Sequence, residues 1–566
     1  MNHEIELKTK QLIDELKATC QAFGLGNDGN EYKIITQVFL YKFICDKFGA
    51  EAKKENATLR NAEKWEQAYA EMSEDDREDL FDDLEADIPR LNPEHLIANL
   101  WNQQAKGDFD SIFDETMIDI AEKNNGIFAT TTTEKTQIPI FEKLTVHITD
   151  DSQRAKFARA LVDKLNNFSF EEAFNQQYDF FASIFEYLIK DYNTAGGGKY
   201  AEYYTPHAIA TIMARLLVPE DADLHNMEIY DPSAGTGTLL MALSHQIGED
   251  KCTIYSQDIS QRSNKMLKLN LILNNLVSSL DNAVQGDTLV SPYHKSDDGQ
   301  HLKQFDYVVS NPPFKMDFSE NHAVLSKKTT RFWAGIPNIP SKKKESMSIY
   351  SLFIQHVINS LKEAGKGAIV VPTGFLTAKS GVEKKILSKI VDERIISGVI
   401  SMPSNVFANT GTNVSVLFFE KTKQKEIKNN LTDEEKEEAQ KQQEILNNQK
   451  NVILIDASNL GEEYNDGKNK KRRLRPEEIE KIIETFRNKE SVDDLSIAVS
   501  YNQIKEKNYS LAAGQYFEVK IEYSPLTQEE FKVKMDNFKS ELDNLFIESN
   551  SLQKDITEQL KKVSYE

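Results

Sequence analysis

The chain runs to 566 residues, more than one ordinary core holds, so two or three domains are expected. It is 39% hydrophobic and 28% charged, the balance of a globular chain, and no run approaches the roughly eighteen apolar residues of a membrane span. A formal net charge of −22 argues against non-specific grip on a phosphate backbone over the whole surface, but leaves room for local basic surfaces and for a partner that supplies the grip.

The amino terminus, MNHEIELKTK, lacks the apolar core of a secretory signal. Residues 1 to about 165 read as helical. Gln11 to Phe23 spaces its apolar residues as a helix does, and so does Tyr32 to Phe48 after the turn-like Gly24–Gly29 segment. Glu71 to Asp87 is acidic and reads as solvated helix. The β-branched run Phe128–Thr133 ends this character. Cys20, Cys45 and Cys252 lie far apart and form neither a zinc pattern nor a disulfide framework, so a cytoplasmic protein is expected, with no metal.

Near Phe168 the pattern changes. A helix through Phe180 to Ile189 leads into Ala195-Gly-Gly-Gly198, and short apolar runs then alternate with helical stretches. Met227–Asp231, Cys252–Ser256, Phe305–Ser310, Ala368–Pro372, Ile395–Ile400 and Val414–Phe419 are the expected strands. Leu239–Gln246, Gln261–Asn274, Ser348–Glu363 and Val382–Val391 are the expected helices between them. This alternation predicts an α/β fold with a mainly parallel sheet. Lys421–Gln449 is charged and reads as a protruding helix or loop. Asn451–Asp456 is a further strand, and Asn469–Arg475 is a compact basic run. In the tail, Phe531, Met535, Phe538, Leu542, Leu545, Leu552, Ile556 and Val563 form one stripe with heptad-like steps, as in a helix that packs on a partner or on its own chain.

Two segments carry chemistry. Asp231-Pro-Ser-Ala-Gly-Thr-Gly237 ends one strand and opens a helix; Gly235 and Gly237 let the backbone turn tightly and approach a ligand, with Ser233 and Thr236 beside them. The segment lacks the Lys-Ser/Thr of a phosphate-binding loop, and its Asp231 suits an ammonium group better than a phosphate. Asp258, 27 residues on, follows the next strand, where a carboxylate binds ribose hydroxyls. Asp287 follows a possible third strand and can accept from an adenine amino group. Together they point to a nucleoside-containing cofactor. The second segment is Asn311-Pro-Pro-Phe314, delivered by the strand Phe305–Ser310. The Asn311 side-chain oxygen and the Pro312 carbonyl can accept the two N–H bonds of a planar amine, and Phe314 can stack on its ring. Such a site prepares an amine nitrogen to attack an electrophilic methyl group without a Cys or His nucleophile.

With these motifs in this order, the sequence resembles the modification (M) subunits of type I restriction-modification systems, which are adenine-N6 DNA methyltransferases. The resemblance implies a Rossmann-like S-adenosylmethionine-dependent methyltransferase domain over 166–480, a helical domain over 1–165 for assembly and DNA contact, and a carboxy-terminal region over 481–566 whose long helix docks a subunit. It assigns S-adenosylmethionine to Asp231–Gly237 and the target adenine to Asn311–Phe314. It places Tyr204 and Thr205, in Ala201-Glu-Tyr-Tyr-Thr-Pro-His207, over the methionine end of the cofactor, although Thr205 and Pro206 equally fit the start of a helix. It makes Phe407 a second aromatic against a flipped base, with a plain core role as the alternative. Gly374 and Phe375 shape the same pocket. The implied partners are double-stranded DNA and a specificity subunit, typically shared by two M subunits, with a restriction subunit joining the assembly. Lys470–Arg475 is a candidate phosphate contact, with a solvated turn or a charge partner for the acidic surface as alternatives; the same holds for Lys342–Lys344. Planar amines also occur in a protein glutamine amide and in cytosine, so glutamine-N5 and cytosine-N4 methylation stay open at the level of the residues.

Overall fold

The amino-terminal helices form where apolar residues recur three and four apart. In the computed structural model, which describes residues 3–26, 29–85, 88–125, 130–132, 137–174, 178–195, 205–407, 413–421, 451–466, 469–517 and 527–561, helix α1 (His3–Ala22) buries Leu12, Ile13, Leu16 and Cys20 on one face. Helix α2 (Gly29–Glu55) is buried nearly all round and forms the axis of the helical region. Its Phe43 meets the rings of Phe170, Phe174 and Phe181 edge-on at 5.4–6.1 Å, which ties the later helix α5 (Tyr178–Ala195) to this core. Between them, α3 (Phe109–Lys123) and α4 (Asp151–Asn166) pack on each other. The acidic stretch holds a helix at Glu74–Asp83, capped by Ser73, with Leu80 and Phe81 turned inward.

An eleven-stranded sheet runs through the rest. Its strands are β1 (Thr130–Thr132), β2 (Gln137–Ile138), β3 (Met227–Asp231), β4 (Cys252–Asp258), β5 (Ala283–Gln285), β6 (Phe305–Ser310), β7 (Leu361–Pro372), β8 (Ile396–Ser401), β9 (Val414–Glu420), β10 (Asn451–Asp456) and β13 (Ser496–Ser500), in the order β13-β10-β8-β9-β7-β6-β3-β4-β5-β1-β2. The central pairs are parallel; β9 lies antiparallel between β7 and β8. Helices α6 (His207–Leu217), α7 (Thr238–Ile247), α8 (Gln261–Leu273), α9 (Tyr350–Asn359), α10 (Gly381–Asp392) and α11 (Pro476–Asn488) accompany the strands. Covered on both faces, β9 and the last part of β7 are buried continuously rather than alternately.

Three strands coincide with the sequence expectation residue for residue, at Met227–Asp231, Phe305–Ser310 and Asn451–Asp456. The Ala368–Pro372 run is the end of a longer strand that starts at Leu361; residues 362–365 (Lys-Glu-Ala-Gly) form an irregularity between the pairs Phe305–Leu361 and Tyr307–Lys366 and offer no apolar run to read. The helical region also supplies two strands: β1 pairs with β5 and extends the sheet edge. The basic run is not a turn. It forms β12 (Asn469–Arg473), antiparallel to β11 (Glu462–Asp466) in a separate hairpin.

The chain divides into two compact units, Met1–Tyr516 and Phe517–Glu566. The sheet-bearing unit thus continues past residue 480, since β13 pairs with β10 at the edge. The second unit contains α12 (Gln528–Lys561), in which no residue is buried. Phe531, Met535, Phe538, Leu542 and Leu545 follow one another by four and three residues, all about half exposed or more, and Leu552 and Ile556 continue the stripe; Val563 and the Lys421–Gln449 segment from 422 on lie outside the described residues.

Chain direction sets the place of the crevice. From β3 the chain moves outward through β4 and β5, then returns to the other side of β3 with β6. Ligands in open α/β sheets bind at the carboxyl ends of strands at such a switch. Asp231 and Asn311 stand at the carboxyl ends of β3 and β6, which are neighbours.

Candidate active site

The turn after β3 is held from within. Asp231 is 1% exposed, and its Oδ1 accepts from the Ser233 N–H at 2.9 Å. Gly235 (φ +54°) donates its N–H to Asp258 Oδ2 at 2.8 Å, and Asp258 Oδ1 accepts from the Ser260 N–H at 2.8 Å. Asp258 therefore clips the turn to the end of β4 while also lining the pocket. The Thr236 carbonyl accepts from the Asn270 side chain at 3.1 Å. Gly237 (φ +84°) opens α7; a Cβ built there would stand 2.2 Å from Leu267 Cδ1 on α8. Gly237→Ala combines a left-handed backbone with that overlap, so about 2–5 kcal/mol of destabilisation is expected. A lowered melting temperature together with weakened cofactor binding would confirm it; wild-type values for both would refute it.

Around this turn lies a pocket lined by Ser233, Asp258, Asp287, Asn311 and Pro313, with an apolar wall that includes Phe318, Leu325 and Phe353. Asp287 Oδ1 accepts from the N–H groups of Leu289 and Val290 at 2.9 and 3.0 Å, fixing the loop after β5. Ser310, the last residue of β6, bonds Ser233 Oγ at 2.6 Å and so couples the two motif strands. Thr288 Oγ1 donates to the Pro232 carbonyl at 2.7 Å. Beyond the Asn-Pro-Pro-Phe segment the chain passes over the pocket and is clipped back. Arg331 donates to the carbonyls of Thr288 and Leu289, and Lys328 to that of Val290.

Asn311 is half-buried. Its Nδ2 donates to Thr205 Oγ1 at 3.0 Å, which leaves Oδ1 as the acceptor. Thr205, 6% exposed, stands before α6 but does not cap it: the N-cap is Pro206, one residue later than the sequence suggested, and the Thr205 hydroxyl is engaged by Asn311 instead. Pro312 is buried, and Phe314 is half-buried with its ring edge-on to Tyr350 at 6.4 Å; Tyr350 in turn meets Phe375 at 6.1 Å. Phe407 is half-buried beyond the end of β8 and packs on the hydrophobic core. Among the described ring pairs, the partner of Phe314 is Tyr350 rather than Phe407. Gly374 has open space where a side chain would go. Tyr204 lies outside the described residues.

Electrostatics fit a cationic ligand. Burial pushes Asp231 up to about 8, with the nearby Asp258 adding to the rise and the Ser233 N–H opposing it. Burial also raises Asp258, against the pull of the Ser260 and Gly235 N–H groups. A ligand carrying a sulfonium and an ammonium group draws both carboxyls into their charged form and is held by it, whereas a polyphosphate would disfavour that form. The sign is testable. Asp231 is mostly neutral below about pH 7 and charged above about pH 9. Asp231→Asn should therefore bind S-adenosylmethionine less tightly than wild type, by a margin that widens as pH rises toward about 8. Calorimetric titration of both proteins with the same ligand cancels the ligand's own ionisation; a gap that is constant with pH would contradict the assignment.

The switch-point crevice, the glycine turn and the carboxylate series define an S-adenosylmethionine-dependent methyltransferase of Rossmann-like fold. The N-6 DNA methylase family model matches residues 176–524, and the chain belongs to that family. A type I restriction enzyme methylase subunit of Mycoplasma pneumoniae is 26% identical over 389 residues, 68% of this chain and 64% of that protein, so the match spans just under two thirds of the relative's length. One from Methanocaldococcus jannaschii is 24% identical over 511 residues, 88% of this chain and 76% of the relative. The crystal structure of a type I restriction-modification system methyltransferase subunit from Streptococcus thermophilus shares the fold, with a TM-score of 0.69 at 20% identity over 90% of this chain and 99% of that one. Among the described residues, no helix is long and apolar enough to cross a membrane.

The motif residues were visible in sequence; several of their supports were not. Ser310 carries a signal of its own, a polar residue ending an apolar strand next to Asn311. Asn270, Thr288, Lys328 and Arg331 carry none, because each acts through a backbone carbonyl distant in sequence.

Proposed function

We propose that the chain is the methyltransferase subunit of a type I restriction-modification assembly, transferring a methyl group to the N6 amino group of an adenine in double-stranded DNA. The observation that carries this reading is Asn311. With Nδ2 engaged by Thr205, Oδ1 faces an incoming amine as a fixed acceptor, at the strand end next to Asp231. The Pro312 carbonyl is the second acceptor, and the missing N–H of Pro312 and Pro313 removes competing donors. Holding both amine hydrogens keeps the nitrogen lone pair available and aligned. S-adenosylmethionine, when bound, supplies the electrophilic methyl group. Ser233, Gly235, Thr236, Gly237, Asp258 and Asp287 are its proposed nucleoside contacts and Asp231 and Thr205 its methionine contacts; the family resemblance adds Tyr204, which lies outside the described residues. Phe314 and Phe407 offer the flat faces for a base.

An adenine N6 in duplex DNA cannot reach a pocket at the strand ends, so the base leaves the stack. In this proposal sequence choice comes from a specificity subunit shared by two copies of this chain, and a restriction subunit joins them. Residues 1–165 serve assembly and DNA contact, the sheet-bearing part from 166 on the chemistry, and α12 in the carboxy-terminal unit docking. The exposed heptad stripe of α12, with a step of four or three from Phe531 to Leu545, suits a helical partner. Co-expression with the proteins encoded beside it tests the partner claim. Methylation of DNA should require a co-purifying specificity protein, and site-specific methylation by this chain alone would contradict it.

A further inference from the structure

The hairpin β11–β12 lies outside the main sheet, and its charge runs against that of the chain. Between 462 and 475 the sequence holds Lys468, Lys470, Lys471, Arg472, Arg473 and Arg475 against Glu462, Glu463 and Asp466, a basic excess in a protein of net charge −22. Directly opposed residues of an antiparallel pair share a face. One face carries the pairs Glu463–Arg472 and Asn465–Lys470, the other Glu462–Arg473, Tyr464–Lys471 and, at the tip, Asp466–Asn469.

The first face anchors the hairpin. Arg472 donates to the Ser458 carbonyl at 3.1 Å and to Glu463 at 2.8 Å, and its backbone N–H donates to the Asn405 carbonyl at 3.1 Å. Asn405, in the left-handed region at φ +60°, lies in the segment that follows β8 and precedes Phe407 by two residues. The hairpin is thereby fixed to the segment at the carboxyl side of the sheet that carries the second candidate base-stacking ring. The opposite face presents Tyr464, 45% exposed, beside Lys471 and the exposed Arg473, whose guanidinium stands 5.9 Å from the Tyr464 ring. The aromatic ring holds the cation without neutralising it, although Glu462 stands across the ladder from Arg473.

We infer that this face binds backbone phosphates of DNA next to the base that leaves the helix, with Lys471 and Arg473 as the phosphate ligands. Cations on a two-stranded arm, next to an aromatic ring and fixed to the base-binding segment, suit a backbone whose nucleotide is being extruded. The inference rests on the DNA reading proposed above.

The test uses the full-length chain with its co-purified partners, S-adenosylmethionine and PCR-amplified, hence unmethylated, DNA from the source genome. Lys471→Gln with Arg473→Gln should raise the KM for DNA about tenfold at 0.15 M salt and flatten the logarithmic salt dependence by about 1.8, or about 0.9 for each lost phosphate contact. Cofactor affinity and melting temperature should stay at wild-type values, and Lys471→Arg with Arg473→Lys should restore the salt dependence. An active wild type whose DNA KM and salt slope the glutamine pair leaves unchanged overturns the hairpin assignment alone. Loss of cofactor binding in step with DNA binding also overturns it, by making the hairpin a structural support. A wild-type complex that leaves DNA unmethylated overturns both readings.

Discussion

Asn311→Ala is expected to slow methyl transfer by about a hundred- to a thousandfold while leaving cofactor affinity within a few fold of wild type. The side chain sits at the end of β6, where its Nδ2 is spent on Thr205, and in the proposed function its Oδ1 accepts from the target amine. Removing it takes away an interaction made with the acceptor and strengthened as the nitrogen attacks. The residues that hold the turn, Asp258, Ser233 and Ser310, keep their own bonds. Single-turnover transfer and calorimetric titration with S-adenosylmethionine separate the two quantities. Asn311→Asp should retain more activity than Ala, because a carboxylate keeps the acceptor and can take a hydrogen bond from the Thr205 hydroxyl. If Asn311→Ala lost cofactor binding in proportion to transfer, the residue would belong to the cofactor side of the pocket.

Asp258→Ala should do the reverse: cofactor binding falls first and furthest, by about a hundredfold or more, and stability falls with it. Both carboxylate oxygens accept backbone N–H groups at 2.8 Å, from Gly235 and from Ser260, at a site only 6% exposed. Truncation strands two buried donors, each costing about 1–3 kcal/mol. It also releases Gly235 from the left-handed conformation that shapes the turn. Asp258→Asn keeps one acceptor oxygen and should lie between wild type and Ala in both melting temperature and affinity. Wild-type affinity in Asp258→Ala would show that the clip to β4 is dispensable.

Much of the site could be read from sequence because its residues sit at discontinuities. An apolar run that fills both faces of a parallel sheet ends abruptly at Asp231 and again after Ser310, and a polar residue at such a point has few roles besides function. Gly237 was legible as a turn residue, and its packing against Leu267 shows why a side chain does not fit. Asp258 was legible by position but not by role. Its place after a strand predicted a ligand contact, while its hydrogen bonds show that it first builds the turn. The strands of three and two residues at Thr130–Thr132 and Gln137–Ile138 are too short to show a period, and only the pairing of β1 with β5 and of β2 with β1 makes them strands. The hairpin escaped for a related reason: Asn469–Arg473 is uniformly polar, so nothing in its pattern separates a strand from a solvated turn. The fold's extension past residue 480 escaped because the edge strand β13 follows a polar helix and is itself only partly buried.

The most direct measurement is the identity of the methylated product. The full-length chain with its co-encoded partners is incubated with methyl-labelled S-adenosylmethionine and unmethylated DNA, and the DNA is digested to nucleosides. The account predicts label in N6-methyladenine, absent with Asn311→Ala. Label in N4-methylcytosine, in a glutamine of a co-purifying protein, or in no product would contradict it.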